Sequence, residues 1–225
     1  PLLLYLPKES FTNKMTKYQG DVQKFKKFIR TWLTKRGDDF HEKNEYNQDA
    51  YKNALNSKLP KSYADFYFAM TSFECENILK IEADDEDSSI QLININDVIG
   101  NYSKHHELIK APAVFNEKNY RIYSKDQEEI SPFISLDDYN KLLLVGEHND
   151  TVFQGKILLN NFVKFDDEEF EAIFLEIGGA YEVRFSSFAE LVVWFYLNDP
   201  ASEVELDSLY GDHLDDSSKI SNILF

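Results

Sequence analysis

A single cysteine, Cys75, stands among 225 residues. That excludes an internal disulfide framework and fits a reducing, cytoplasmic compartment. Glycine is scarce as well, with eight in all and no Gly-x-Gly-x-x-Gly, Walker loop or Gly-x-Ser-x-Gly. Phosphate-cradling loops and a nucleophile elbow are therefore not expected. No stretch approaches the roughly 18 consecutive apolar residues of a membrane-spanning helix. The opening Pro1-Leu2-Leu3-Leu4-Tyr5-Leu6-Pro7 is apolar but short, without a positive region before it or a small-residue cleavage site after it. It reads as a docked strand or an added remnant, with Met15 a candidate native start.

Positive charge is the other shortage. Lys and Arg number 24 against 40 Asp and Glu, a net charge of −16. The imbalance is uneven: residues 1–60 carry +5 and the remaining 165 carry −21. A body this acidic repels nucleic-acid phosphates and anionic lipid, and it steers a basic partner toward itself. The plainer account of the acid is solubility.

What the chain has is apolar and aromatic material. Forty-three per cent of it is hydrophobic, including eighteen Phe and thirteen Tyr, enough for a packed core and too much for a disordered chain. The length suits one domain with additions at its ends.

The central stretch is Leu59-Pro60-Lys61-Ser62-Tyr63-Ala64-Asp65-Phe66-Tyr67-Phe68-Ala69-Met70. A proline suited to the first turn is followed by Tyr63, Phe66, Tyr67 and Met70 at helical spacing, which predicts a short, mostly buried helix. Upstream, Val22, Phe25, Phe28, Ile29, Trp32 and Leu33 line one face of a helix over 21–36, with Gly37 placed to stop it. Its other face carries Lys24, Lys26, Lys27 and Arg30, either solvated or packed on the acidic body. A weaker helix is expected over 45–57.

Beyond Met70 the period becomes strand-like. Strands are expected at 77–81 and 90–95, with Asp84, Asp85, Glu86 and Asp87 as the turn between them. A short helix is expected from Asn96 or Asp97 toward Leu108, ended by Ala111-Pro112, and a short strand at 120–123. Runs at 141–146 and 152–160 are joined by a polar loop at 147–151. Runs at 171–177 and 181–185 flank Gly178-Gly179, a tight-hairpin signal. Together these make an antiparallel meander. Ser187-Phe188-Ala189-Glu190 is a capping box opening a helix with Phe188, Leu191, Val192 and Phe195 inward, stopped by Asn198-Asp199-Pro200. Residues 201–225 alternate acids with Leu206, Leu209, Leu214, Ile220, Ile223, Leu224 and Phe225 and are expected to dock on the body.

No catalytic constellation emerges. Cys75 has no local signature tying it to His41, His105, His106, His148 or His213 and reads as a buried inert thiol. His105 and His106 point about 100° apart on a helix and are poorly placed to share a metal. Carboxylate pairs carry little information in a chain with forty acids, and the 84–87 run lacks the EF-hand pattern.

The order of elements resembles the SMI1/KNR4 family of the SUKH superfamily over about residues 40–200. The resemblance rests on Leu59-Pro60 with Tyr63, Phe66 and Tyr67, then Leu142-Leu143-Leu144-Val145-Gly146-Glu147, then Gly155-Lys156-Ile157-Leu158-Leu159-Asn160, then Phe185-Ser186-Ser187-Phe188-Ala189-Glu190-Leu191. Two features depart from the family pattern. The chain reads Thr71-Ser72-Phe73-Glu74-Cys75 where a small Asn-Gly turn is usual, and the loop after Gly146 lacks a glycine.

The resemblance implies an α+β fold, a largely antiparallel sheet flanked by helices, with 1–39 as an N-terminal extension and 201–225 as a tail. It carries over no shared catalytic residues, and on the residues themselves no cofactor and no metal are expected. Bacterial members look like immunity proteins that neutralise a cognate protein toxin by tight binding; eukaryotic members suggest a regulatory or scaffolding module. For a basic toxin the expected contacts are Asp84, Asp85, Glu86, Asp87 and Asp166, Asp167, Glu168, Glu169, both sets placed in predicted turns.

Overall fold

The computed structural model describes residues 18–43, 45–75, 78–83, 86–105, 142–149, 154–164, 168–177, 181–197 and 199. Over these the fold is α+β, a largely antiparallel sheet with helices packed on it.

Helix α1, Val22–Arg36, begins at Asp21, whose carboxylate accepts the Lys24 amide at 2.8 Å, and ends at Gly37. Gly37 adopts φ 69° and donates its N–H to the Thr34 carbonyl. That left-handed cap suits glycine because an L side chain would crowd the preceding carbonyl. The face predicted from periodicity is fully buried: Phe25, Ile29, Trp32 and Leu33 are at 0 % exposure. Each such side chain contributes about 1.5–3 kcal/mol of apolar burial. The helix expected as part of an N-terminal extension thus shares one core with the 40–200 region, Phe25 meeting the ring of Phe66 edge-on at 5.4 Å.

After the two-residue strand β1, His41–Glu42, comes α2, Gln48–Asn56, capped by Asn47 on the Ala50 amide. Helix α3, Lys61–Met70, follows at once, with Pro60 at its N-cap. Besides the predicted aromatic face, Ser62, Ala64, Asp65, Phe68 and Ala69 are buried, so α3 is enclosed nearly all round. β2, Phe73–Glu74, pairs antiparallel with β1.

The main sheet has six strands in sequential order, every pair antiparallel. They are β3 Leu79–Ala83, β4 Glu86–Leu92, β5 Leu143–Asn149, β6 Gln154–Lys164, β7 Phe170–Ile177 and β8 Tyr181–Phe185. Helix α4, Ile95–His105, leaves β4, and α5, Phe188–Leu197, follows β8. Several boundaries differ from expectation. β4 starts four residues earlier than predicted, because Glu86 pairs with Ala83 and Asp87 with Glu82. Glu86 and Asp87 are therefore strand residues. Glu147, His148 and Asn149, read as loop, extend β5 by pairing with Lys156, Gly155 and Gln154. The segments at 106–141, 178–180 and 200–225 lie outside the described residues, and with them the expected strand at 120–123, the Ala111-Pro112 stop, the Gly178-Gly179 turn and the docking tail.

Side chains alternate across the sheet as strand geometry requires. Leu143, Val145, Ile157, Leu159, Phe170, Ala172, Phe174 and Phe185 join the helices in the main core. Leu142, Leu158 and Ile173 form a small cluster on the opposite face. The β5–β6 register shifts between Leu144 and Gly146, and on its other edge β5 pairs Gly146 with Leu92 of β4. A side chain on Gly146 would press within 3.0 Å of Ile90 and 3.2 Å of Leu92, which is why glycine sits there.

The capping box forms with one change. Ser187 accepts the Glu190 amide, and Glu190 reaches back to the amide of Ser186. The two helices that carry the resemblance meet in the core: the Phe188 ring lies 5.1 Å from Tyr63 and 5.7 Å from Phe66.

Candidate functional site

Strand register separates the two predicted acidic patches. β4 starts beyond β5's C-terminal end and runs toward β5's N-terminus, so the end of β3, the start of β4, the end of β5, the start of β6, the end of β7 and the start of β8 all lie at one end of the sheet. The β6–β7 connection, with Glu168 and Glu169, lies at the other. The backbone gathers Glu82, Glu86, Asp87, Glu176 and Glu182 toward the first end; Asp84 and Asp85 lie outside the described residues. The β3–β4 hairpin pairs through five rows, whereas the β4–β5 ladder pairs Gln91 and Leu92. Its outer rows thus form a two-stranded arm reaching past β5. His148 marks the parting: its Nδ1 lies 2.8 Å from the Ser89 carbonyl, beyond the last paired row.

The second patch needs correction. Asp166 and Asp167 lie outside the described residues, and Glu168 is exposed with φ 68°. Glu169 is not a surface residue: it is 1 % exposed, and its carboxylate accepts the Ser62 amide at 2.9 Å and the Ser62 hydroxyl. A carboxylate on the open amides of a helix start satisfies donors that would otherwise be orphaned and complements the helix dipole. Glu169 therefore caps α3 and is not available to a partner.

The basic face of α1 is mixed: Lys27 and Arg30 are exposed, Lys24 is half-buried and only Lys26 is buried. Lys26 is 4 % exposed, 3.0 Å from the Glu42 carboxylate, and donates to the Lys43 carbonyl. Arg30 donates to Glu42 from Nε at 2.9 Å, and the buried Arg36 side chain pairs with Asp38 at 2.6 Å. Lys26 and Arg30 are thus tied to Glu42, a neighbour within the N-terminal segment, while Lys27 and the outer part of Arg30 face solvent. Burial raises the Glu42 pKa, but hydrogen bonds from Arg30 and Lys26 and their charges outweigh it, holding the group below the ordinary glutamate value. A carboxyl with a depressed folded pKa contributes stability above its unfolded pKa and loses it as pH falls through the folded value. The stability advantage of the wild type over Glu42→Gln should be fully present above the ordinary glutamate pKa and shrink progressively as pH falls below it, which melting curves across acidic pH would show.

A second polar centre went unread in the sequence. Asp65, at 0 % exposure, accepts the Tyr18 hydroxyl at 2.8 Å, the Tyr51 hydroxyl at 2.6 Å and the Lys61 ammonium. Burial and the neighbouring Asp65 charge push both tyrosine hydroxyls well above the usual range, so they stay protonated donors. The available signal was one aspartate inside an otherwise aromatic helix face. On the far face of the sheet Glu171 accepts from Asn160 at 2.7 Å and from Arg184 at 3.4 Å, all three buried.

Cys75 is half-buried, not enclosed as expected; His41 is exposed on β1 opposite Glu74. His106 and His213 lie outside the described residues. Among the described residues no three His, Cys, Asp or Glu side chains are grouped to hold a metal ion, and no helix is long and apolar enough to cross a membrane. Comparison with known protein families, curated proteins and solved structures finds no match for this chain.

Proposed function

We propose that this protein is an immunity protein of the SMI1/KNR4 kind that binds and occludes a basic protein toxin, with the β3–β4 arm as the leading contact. The resemblance over 40–200 supports this reading, and so does an α+β fold whose two motif helices pack on each other through Phe188. The observation that carries the arm is Glu82 standing directly opposite Asp87. Like charges across a strand pair cost the hairpin a few tenths of a kcal/mol to about 1 kcal/mol, a cost that solubility alone does not require. An acidic arm at a sheet edge raises the encounter rate with a cationic cleft, and the rate falls as salt screens it. If the toxin is a nuclease, the arm imitates the phosphates its cleft holds. The alternative is a non-catalytic scaffolding module; it has the same fold and would hold several cellular proteins.

Recovery of the tagged protein from its native cells at low and high salt separates the two. The immunity reading expects one stoichiometric basic partner whose association slows at high salt; several unrelated proteins would favour the scaffold. Reversing Glu86 and Asp87 to lysine should then slow association roughly tenfold and flatten its salt dependence. It should leave the fold as stable or slightly more so, because the opposition to Glu82 is relieved. Unchanged association kinetics would remove the arm from the interface.

A further inference from the structure

The helices differ sharply in how they are held. α1 and α3 each bury seven residues, whereas α2 buries only Ala54. Its remaining apolar residues, Ala50, Tyr51 and Leu55, are half-buried. Two other attachments join it to α3. The rings of Tyr46, just before α2, and Tyr51 pack on Phe68 at 6.0 and 5.5 Å, and the Tyr51 hydroxyl donates to Asp65. Asp65 itself stays anchored without α2. Tyr18 and Lys61 also donate to it, and Lys61 reaches the Gly20 carbonyl at 2.8 Å.

We propose that α2 is a strap that opens from α3 as a unit while the sheet and the other helices stay closed, and that the Tyr51–Asp65 hydrogen bond is its fastening. A segment with little buried apolar area and one charge-assisted hydrogen bond belongs to the low-stability end of a fold. Opening uncovers Phe68, now 4 % exposed, beside the Asp65 carboxylate, an apolar and anionic strip along α3. The inference does not depend on the immunity reading.

Native-state hydrogen exchange on the whole chain tests it. In the wild type the α2 amides should exchange faster than those of β6 and β7 and with little dependence on low denaturant. Tyr51→Phe keeps the ring on Phe68 and removes only the hydroxyl. It should speed α2 exchange about ten- to a hundredfold, the worth of a hydrogen bond to a charged group, with β6 and β7 unchanged. Tyr46→Phe, whose hydroxyl has no hydrogen bond among the described residues, is the control and should leave α2 as it is. The proposal is overturned if wild-type α2 exchanges only with the denaturant dependence of β6 and β7, which would mean it opens only in global unfolding. It is equally overturned if Tyr51→Phe accelerates all amides alike or leaves α2 unchanged.

Discussion

Asp199→Ala should lower stability by about 3–5 kcal/mol and the melting temperature by roughly 10 °C. Asp199 lies just past α5 at 1 % exposure, and its carboxylate accepts the Trp32 indole N–H at 2.6 Å. The same oxygen is 3.5 Å from Arg36, whose side chain is 1 % exposed. Removing it takes away the indole's acceptor and a carboxylate beside a buried guanidinium, and burial makes that loss expensive. It also removes one tie between the end of α5 and the middle of α1, leaving the Tyr196 ring contacts with Phe28 and Trp32. Asp199→Asn keeps an acceptor for Trp32 but not the charge, so it should fall between the two. Urea unfolding of the three proteins measures this directly, and a loss below 1 kcal/mol for the alanine variant would show that Asp199 does not hold the helices together.

Glu169→Ala comes next, with an expected cost of about 2–4 kcal/mol, because two donors of Ser62 lose a charged acceptor inside the protein. The adjacent Glu168 is exposed, and its replacement by alanine should change stability far less. The pair decides how the acids before β7 are used. A docking role for Glu169 would show as weaker partner association in a normally stable variant. The capping role shows as lost stability with the association rate of the folded fraction unchanged. Unfolding curves set beside association kinetics for both variants separate these outcomes.

The elements with regular periodicity were legible in the chain. The apolar positions of α1 and their stop at Gly37, the enclosed α3 after Pro60, the meander of β5 to β8 and the capping box at Ser187 all occur where local residues indicate them. The boundaries of β4 and β5 were not. Acidic and polar residues there look like turns by composition, yet Glu86, Asp87 and Glu147 pair because hairpin register carries the strands onward. Polarity reports where a side chain can be solvated, not whether its backbone is paired.

By itself the sequence determined the α+β class, the apolar faces and the helix ends, since each depends on residues within a turn or two of one another. Only the tertiary structure decided which charges are functional candidates and which are internal. Glu169 meets Ser62 across 107 residues and Asp199 meets Trp32 across 167. A carboxylate's tolerance of burial is set by donors brought to it from elsewhere in the fold. The same distant packing sets the start of β4, with Glu86 and Asp87, and the start of β7, after Glu168 and Glu169, at opposite ends of the sheet.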